Sequence, residues 1–376
     1  MKFLRLFSIL ISAMFILTLA VGCGEEGEAS SDDSSKGKTE SAVGGNVASK
    51  EETTSKDTAT SSENTSSEVE TDSSVTATTS SSVSSVESNP VVETVPLQKL
   101  GAISGNGTLY KFDDNLYKLE VPFENIYTSV FFLKLDSGEW FIIDAATTSS
   151  DVISYVSPAA KALNVNMQKV KGILLTHSHA DHAGGLPTLA SLCPNAVVYG
   201  VKSTASTGSN KYSVVQDDTV LFNTIKVVTL KGHDQDACGY IDLRSKTIMT
   251  GDSIQLFGVG NYGCQIYAGV DTYYSSIEKL TGKVNAGQVE NILISHKYVP
   301  LGAYAIGKES SLNYLQVAKE CVDELKDYTK GMYDSGVTNE QEIQRYFIEF
   351  KKAQYPDFPV NNFTHAIKSI INLYCR

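Results

Sequence analysis

Three absences narrow the 376-residue chain before any motif is considered. Basic charge is short: 31 Lys and Arg stand against 43 Asp and Glu, a net of −12. That is the wrong sign for a protein that holds a phosphate backbone by releasing counterions, so no nucleic-acid partner is expected. Closely spaced cysteines are missing too. The six cysteines form no C-x-x-C pair, which excludes a thiolate zinc site or a redox dithiol of the usual spacing. The apolar run at residues 6–21 is only 16 residues long and contains Ser8, Ser12 and Thr18. It falls short of the roughly 18 to 20 residues that a spanning helix needs.

What is present divides into unlike parts. Lys2 and Arg5 precede the apolar run and Gly22-Cys23 follows it, the order of an export signal. Ala20-Val21-Gly22-Cys23 resembles the lipobox of bacterial lipoproteins. That resemblance implies a signal peptide over 1–22, a lipid on Cys23, and a chain anchored on the extracytoplasmic face of a bacterial cell membrane. Residues 24–96 hold 19 Ser and 11 Thr and no aromatic residue. Such a segment cannot bury enough apolar surface to offset its ordering entropy, so 23–96 is expected to be a disordered acidic tether. It carries fifteen acids against four lysines, a net of −11, which leaves residues 97–376 nearly neutral at −3.

Within 97–376 the pattern is mixed α and β. Aromatic and β-branched runs at 107–112, 116–121, 127–135 and 139–144 predict antiparallel strands joined by Asp113-Asp114-Asn115 and Asp136-Ser137-Gly138 turns. A helix is expected over 149–163 despite Pro158, then strands at 170–175 and 196–200 around a helix opening at Gly184. Further strands are expected at 220–231, 239–243 and 247–250, a helix at 271–283, and a last clear strand at 291–295. After residue 307 the apolar residues recur at helical spacing, as in Leu312, Leu315, Cys321 and Leu325, so 307–376 is predicted to be a helical extension. Sheets covered outside by helices follow from this order.

Three of the six histidines fall in Thr176-His177-Ser178-His179-Ala180-Asp181-His182, directly after the strand at 170–175. Neutral imidazoles and a carboxylate converging on a tight loop suit zinc. His233, Asp252 and His296 each close or follow a later strand. Placement at strand ends gathers all of them at one edge of the sheets.

Through H-x-H-x-D-H at 177–182, the later His233, Gly251-Asp252 and His296, residues 107–300 resemble the metallo-β-lactamase fold superfamily. The resemblance implies an αββα sandwich of two mixed β-sheets flanked by helices over 97–306. It also implies two zinc ions, with manganese or iron as substitutes: His177, His179 and His233 hold the first, Asp181, His182 and His296 the second, and Asp252 bridges them. Asp144 takes the acidic position beneath the metal loop. Asp181 and Asp252 are then the candidate catalytic carboxylates. The implied activity is hydrolysis of a small-molecule ester, lactone, thioester or amide. A phosphodiesterase or nuclease with the same centre, and a metal-binding lipoprotein without turnover, are the alternatives. His179 stands where flavodiiron members carry a carboxylate, and Asp252 where some β-lactamases carry a cysteine. The usual third motif, P-G-H-T-x-G, is here Lys231-Gly232-His233-Asp234-Gln235-Asp236, without the proline and threonine. The 176–185 segment is also similar to that of glyoxalase II, whose helical extension caps its site, a placement open to the tail here. Tyr262, Tyr298 and Tyr304 are candidate donors to an oxyanion, Lys297 a candidate anion contact, and 257–263 a Gly-rich flap. His365 has no partner motif.

Overall fold

A computed structural model describes residues 97–202, 207 and 209–375. The expected signal peptide, Cys23 and the tether lie outside the described residues.

The first sheet runs in chain order, β1 (Gln98–Ile103), β2 (Gly107–Lys111), β3 (Leu116–Phe123), β4 (Ile126–Lys134), β5 (Trp140–Ile143), β6 (Val170–Leu174), β7 (Val197–Gly200) and β8 (Tyr212–Val214). Its pairs are antiparallel as far as β5 and parallel from β5 to β8. The second contains β9 (Val220–Leu221), β10 (Ile225–Thr229), β11 (Cys238–Asp242), β12 (Thr247–Met249), β15 (Asn291–Tyr298) and β16 (Gly302–Ala305), in the order β16-β15-β12-β11-β10-β9. Between β12 and β15 lies a small hairpin of β13 (Gly258–Val259) and β14 (Tyr262–Gly263).

The two sheets pack face to face, and strand alternation decides what each layer contains. Phe131 and Leu133 on β4 point between the sheets and meet Phe141, Ile143, Val227, Tyr240, Met249 and Leu293. Their neighbours Val130 and Phe132 point outward, against the π turn (Val152–Val156) that follows α1 (Ser149–Asp151) and against α2 (Ser157–Ala162) and α4 (Leu186–Leu192). With both faces covered, residues 130–133 of β4 and the whole of β5 read as unbroken apolar runs instead of alternating ones. The outer face of the second sheet is covered by α5 (Val270–Asn285), α6 (Lys308–Asp334), α7 (Glu340–Lys352) and α8 (Thr364–Tyr374). The architecture is the αββα sandwich with C-terminal helices.

Local departures from the sequence reading have physical causes. The helix over 149–162 tolerates Pro158 because the preceding turn winds wide: the Ser157 N–H bonds to Val152 O, and the proline falls in the first turn of α2, where its missing N–H costs nothing. The strand expected over 220–231 is two strands, since Phe222 and Asn223 adopt φ of 52° and 57° and turn the chain. Residues 291–295 are not the last strand, because β16 pairs beside β15. The short edge strands β1 and β8 carry too few buried positions to show a period of two.

Candidate metal centre

β5, β6, β10 and β12 are followed, within four residues of their carboxyl ends, by Asp144, His177, His233 and Asp252, and β15 carries His296 near its own carboxyl end. Asp144 leaves β5 with φ 64°, a left-handed backbone uncommon outside glycine. Its buried carboxylate accepts from the Thr176 N–H at 2.8 Å and the Thr176 hydroxyl at 2.8 Å, and pairs with His182 Nδ1 at 2.8 Å. The ends of β5 and β6 are thereby locked together. α3 (Ala180–Ala183) begins immediately after His179 and carries Asp181 and His182 on its single turn. At Gly251, φ is 55° and an added Cβ would lie 2.3 Å from Thr176 Oγ1, so only glycine lets the chain after β12 come close enough to aim Asp252 inward.

The structure brings the seven expected ligands into two adjoining groups. In each, one ligand atom per residue lies within 4.8 Å of the others: His177, His179 and His233 in one, Asp181, His182, Asp252 and His296 in the other. His233 Nε2 is 2.8 Å from His179 Nδ1 and 3.2 Å from His177 Nε2. In the second group His182 Nε2 and His296 Nε2 are each 3.3 Å from Asp252 Oδ1, and Asp181 Oδ2 is 3.1 Å from His296 Nε2. The other oxygen of Asp252 is 3.8 Å from His233 Nε2, so this carboxylate faces both groups.

These donors suit divalent cations. Three imidazole ring nitrogens converge, and buried His182 Nε2 and Asp252 Oδ1 make no hydrogen bond among the described residues. The opposite ring nitrogens are engaged outward: His182 Nδ1 by Asp144, His296 Nδ1 by Tyr127 O at 2.5 Å, and His233 Nδ1 by Gln265 O at 2.8 Å. Such contacts fix which nitrogen turns inward. Charge also separates the groups. Burial holds His177 well below the usual histidine range and lowers His233 to about 4. Burial would also lower His182 and His296, but the surrounding carboxylates outweigh it. They hold His182 well above its usual value and raise His296 to about 9. Burial opposes the ionisation of Asp181 and Asp252, yet the neighbouring imidazoles keep both well below the usual carboxylate range.

A cavity of about 240 Å³ opens onto the centre, lined among others by Phe123, Ile126, Asp181, Asp252, Tyr262 and Tyr298. Phe123 and Tyr262 stack at 6.1 Å at its rim. Of the three candidate tyrosines, Tyr298 is buried, and its hydroxyl has no hydrogen-bond partner among the described residues. Burial, and then the charge of Asp252, hold that phenol protonated. Tyr304 sits on β16 opposite Leu293 and does not line the cavity, and Lys297 is exposed outside it.

The lining includes no residue beyond Tyr298, so the helical tail does not cap this cavity. It supports the flap from behind: the Gly263 N–H bonds to Asn361 O at 2.8 Å, and Phe363 packs where a Gly263 side chain would be. The placement of His365 is new. Its ring meets Tyr267 at 4.5 Å, and Tyr267 in turn stands edge-on to His179 at 5.6 Å. Tyr267, Gln265 and Asp234, which pairs with His179, escape sequence reasoning. The one available signal was the aspartate standing in place of threonine after His233.

Residues 125–296 match the family model described as the metallo-β-lactamase superfamily. The hydroxyacylglutathione hydrolase of Pectobacterium atrosepticum is 33% identical over 127 residues, which are 33% of this chain and 48% of that protein. The protein of the same description from Francisella tularensis subsp. holarctica is 27% identical over 156 residues, 40% of this chain and 56% of the relative. The chain thus spans about half the length of the curated relatives it matches. A metallo-β-lactamase family protein from Thermus thermophilus superposes with a TM-score of 0.49 at 14% identity, covering 68% of this chain and 91% of that one.

Proposed function

We propose that this chain, whose residues 125–296 match the metallo-β-lactamase superfamily model, is a dinuclear-zinc hydrolase of acyl thioesters, tethered to a membrane through Cys23. The observation that carries the proposal is the pair of ligand groups joined by Asp252 on a cavity of about 240 Å³. The named activity of the relatives selects thioesters from the small acyl substrates that such a site accepts.

Two bound cations would acidify a water toward neutral pH and polarise the acyl oxygen. The residues supply the rest. Asp181 and Asp252, both ionised, accept hydrogen bonds from the water and hold it in line. Tyr298 offers its unpartnered hydroxyl to the acyl oxygen as charge develops there. Phe123, Ile126 and Tyr262 exclude bulk water from the rim. The water oxygen bonds to the acyl carbon, the C–S bond breaks and sulfur leaves with the electron pair as a thiolate; one water proton ends on that thiolate, and the carboxylic acid formed gives the other to the buffer.

The test is a hydrolytic panel of thioesters, esters, lactones, β-lactams and phosphodiesters, with zinc, manganese or iron supplied. Thioesters should turn over fastest, and Asp252→Ala should lower the rate by at least about 100-fold, the lower end of what loss of a positioned acid or base removes. Clearly less than one metal per wild-type chain would refute the proposal. The anchor has its own check: Cys23→Ala should move the exported chain from the membrane fraction to the soluble one, and unchanged fractionation would dismiss the lipid.

A further inference from the structure

The turn after His233 departs from the pattern it resembles at one chemically consequential place. Where a threonine is usual, Asp234 stands with its Oδ2 at 3.1 Å from His179 Nε2. Its other oxygen accepts the Gln235 N–H at 2.5 Å, so the carboxylate is aimed by the backbone rather than by a cation. His179 lies between this carboxylate and the centre: its Nε2 faces Asp234, while its Nδ1 faces His233 Nε2 at 2.8 Å. Tyr267, edge-on at 5.6 Å, closes another side of the ring.

We infer that Asp234 is a positioning residue for the first ligand group, keeping the His179 N–H on Nε2 so that Nδ1 is presented inward, and strengthening it as a donor. The inference rests on the proposed metal centre. Its logic is that of Asp144 and His182, transposed to the opposite ring nitrogen. Asp144 serves the group that already contains two carboxylates, whereas Asp234 serves the group built of three imidazoles. A carboxylate behind an imidazole raises its basicity toward a cation, and the loss of such a partner typically costs about 10 to 100-fold in metal affinity. Asp234 and His179 have side chains 28% and 31% exposed, so solvent screens the pair and the lower part of that range is expected. A threonine hydroxyl could accept the same N–H but would add no charge.

The experiment strips metal from the full chain and titrates Zn²⁺ against a chromophoric chelator, which resolves two dissociation constants. Co²⁺ absorption then reports which site fills. Asp234→Ala should weaken one constant by about 10-fold, leave the other within about 3-fold, and leave the metal-free Tm unchanged. Asp234→Asn keeps an oxygen toward Nε2 without its charge and should give an intermediate loss; if the alanine variant fails to fold, this variant decides alone. Two constants equal to wild type, or both weakened alike, would overturn the inference. So would a fall in metal-free Tm matching the lost affinity, which would mark Asp234 as merely structural. A wild-type chain that binds no metal would instead refute the proposed centre itself, an outcome visible before any variant is made.

Discussion

At the scale of single residues, the two ligand groups differ in where their protons sit before a cation arrives. His177 and His233 are already neutral near pH 7.5, because burial has lowered them. His182 and His296 are protonated there, because carboxylates hold them above their ordinary range, His296 to about 9. Asp181 and Asp252 are already ionised. Cation binding requires neutral imidazole and so must displace the protons of His182 and His296, about two per chain from this source. The sign follows directly: apparent affinity rises with pH up to about 9, where His296 loses its proton unaided, and release declines above that value. Titration calorimetry at pH 7.5 in buffers of different ionisation enthalpy measures the number, and a value near zero would contradict the charge arrangement. The same raised values act on the metal-free fold. Their stabilising contribution is complete below the ordinary histidine pKa of about 6.5 and disappears as pH rises through about 9.

At the scale of elements, what could be read from the sequence was what is local. H-x-H-x-D-H occupies six consecutive positions, and the strand before it is a run of Ile173-Leu174-Leu175, so loop and strand end declare each other. β5 and the second half of β4 are legible for the same reason: both faces are buried, and the apolar runs are dense. Contacts set by ring orientation across the fold are not legible. Asp234 lies 55 positions from His179, and Gln265 lies 32 from His233, and neither pairing has a spacing rule. The failure at 220–231 is of another kind. Left-handed φ at Phe222 and Asn223 breaks a β-branched run, where the β propensity of the flanking residues outweighs any turn signal in the sequence. The tail shows the same limit. Its helices follow from periodicity, but the pairing of Asn361 with Gly263 that turns them into a brace depends on tertiary packing alone.

At the scale of the molecule, the question is whether the helices after residue 307 form an appendage or part of one cooperative unit. Their core is continuous with that of the second sheet: Tyr314, Leu315, Phe347 and Phe363 belong to the same buried cluster as Ile248, Ile277, Leu280 and Ile292. Buried Lys351 adds a polar tie, paired with Glu324 at 2.8 Å while its ammonium lies 4.5 Å from the Phe257 ring centre at the start of the flap. Phe363 tests this continuity. It is fully buried, stacks on Phe358 at 5.6 Å, meets Phe347 at 5.5 Å, and backs the flap at Gly263. Phe363→Ala should cost about 3 to 5 kcal/mol. At about 2 to 4 °C per kcal/mol for a domain of this size, Tm should fall by roughly 6 to 20 °C. The single tryptophan, Trp140 on β5, sits on the outer face of the other sheet, away from the tail cluster, and reports on that sheet alone. If the molecule is one unit, Trp140 fluorescence and helical circular dichroism should melt together in the variant, both shifted by the same amount. A fluorescence transition that stays at the wild-type temperature while the helical signal melts earlier would instead make the tail a separate domain. In that case the brace behind the flap would open without disturbing the strands that carry Asp144 and His177.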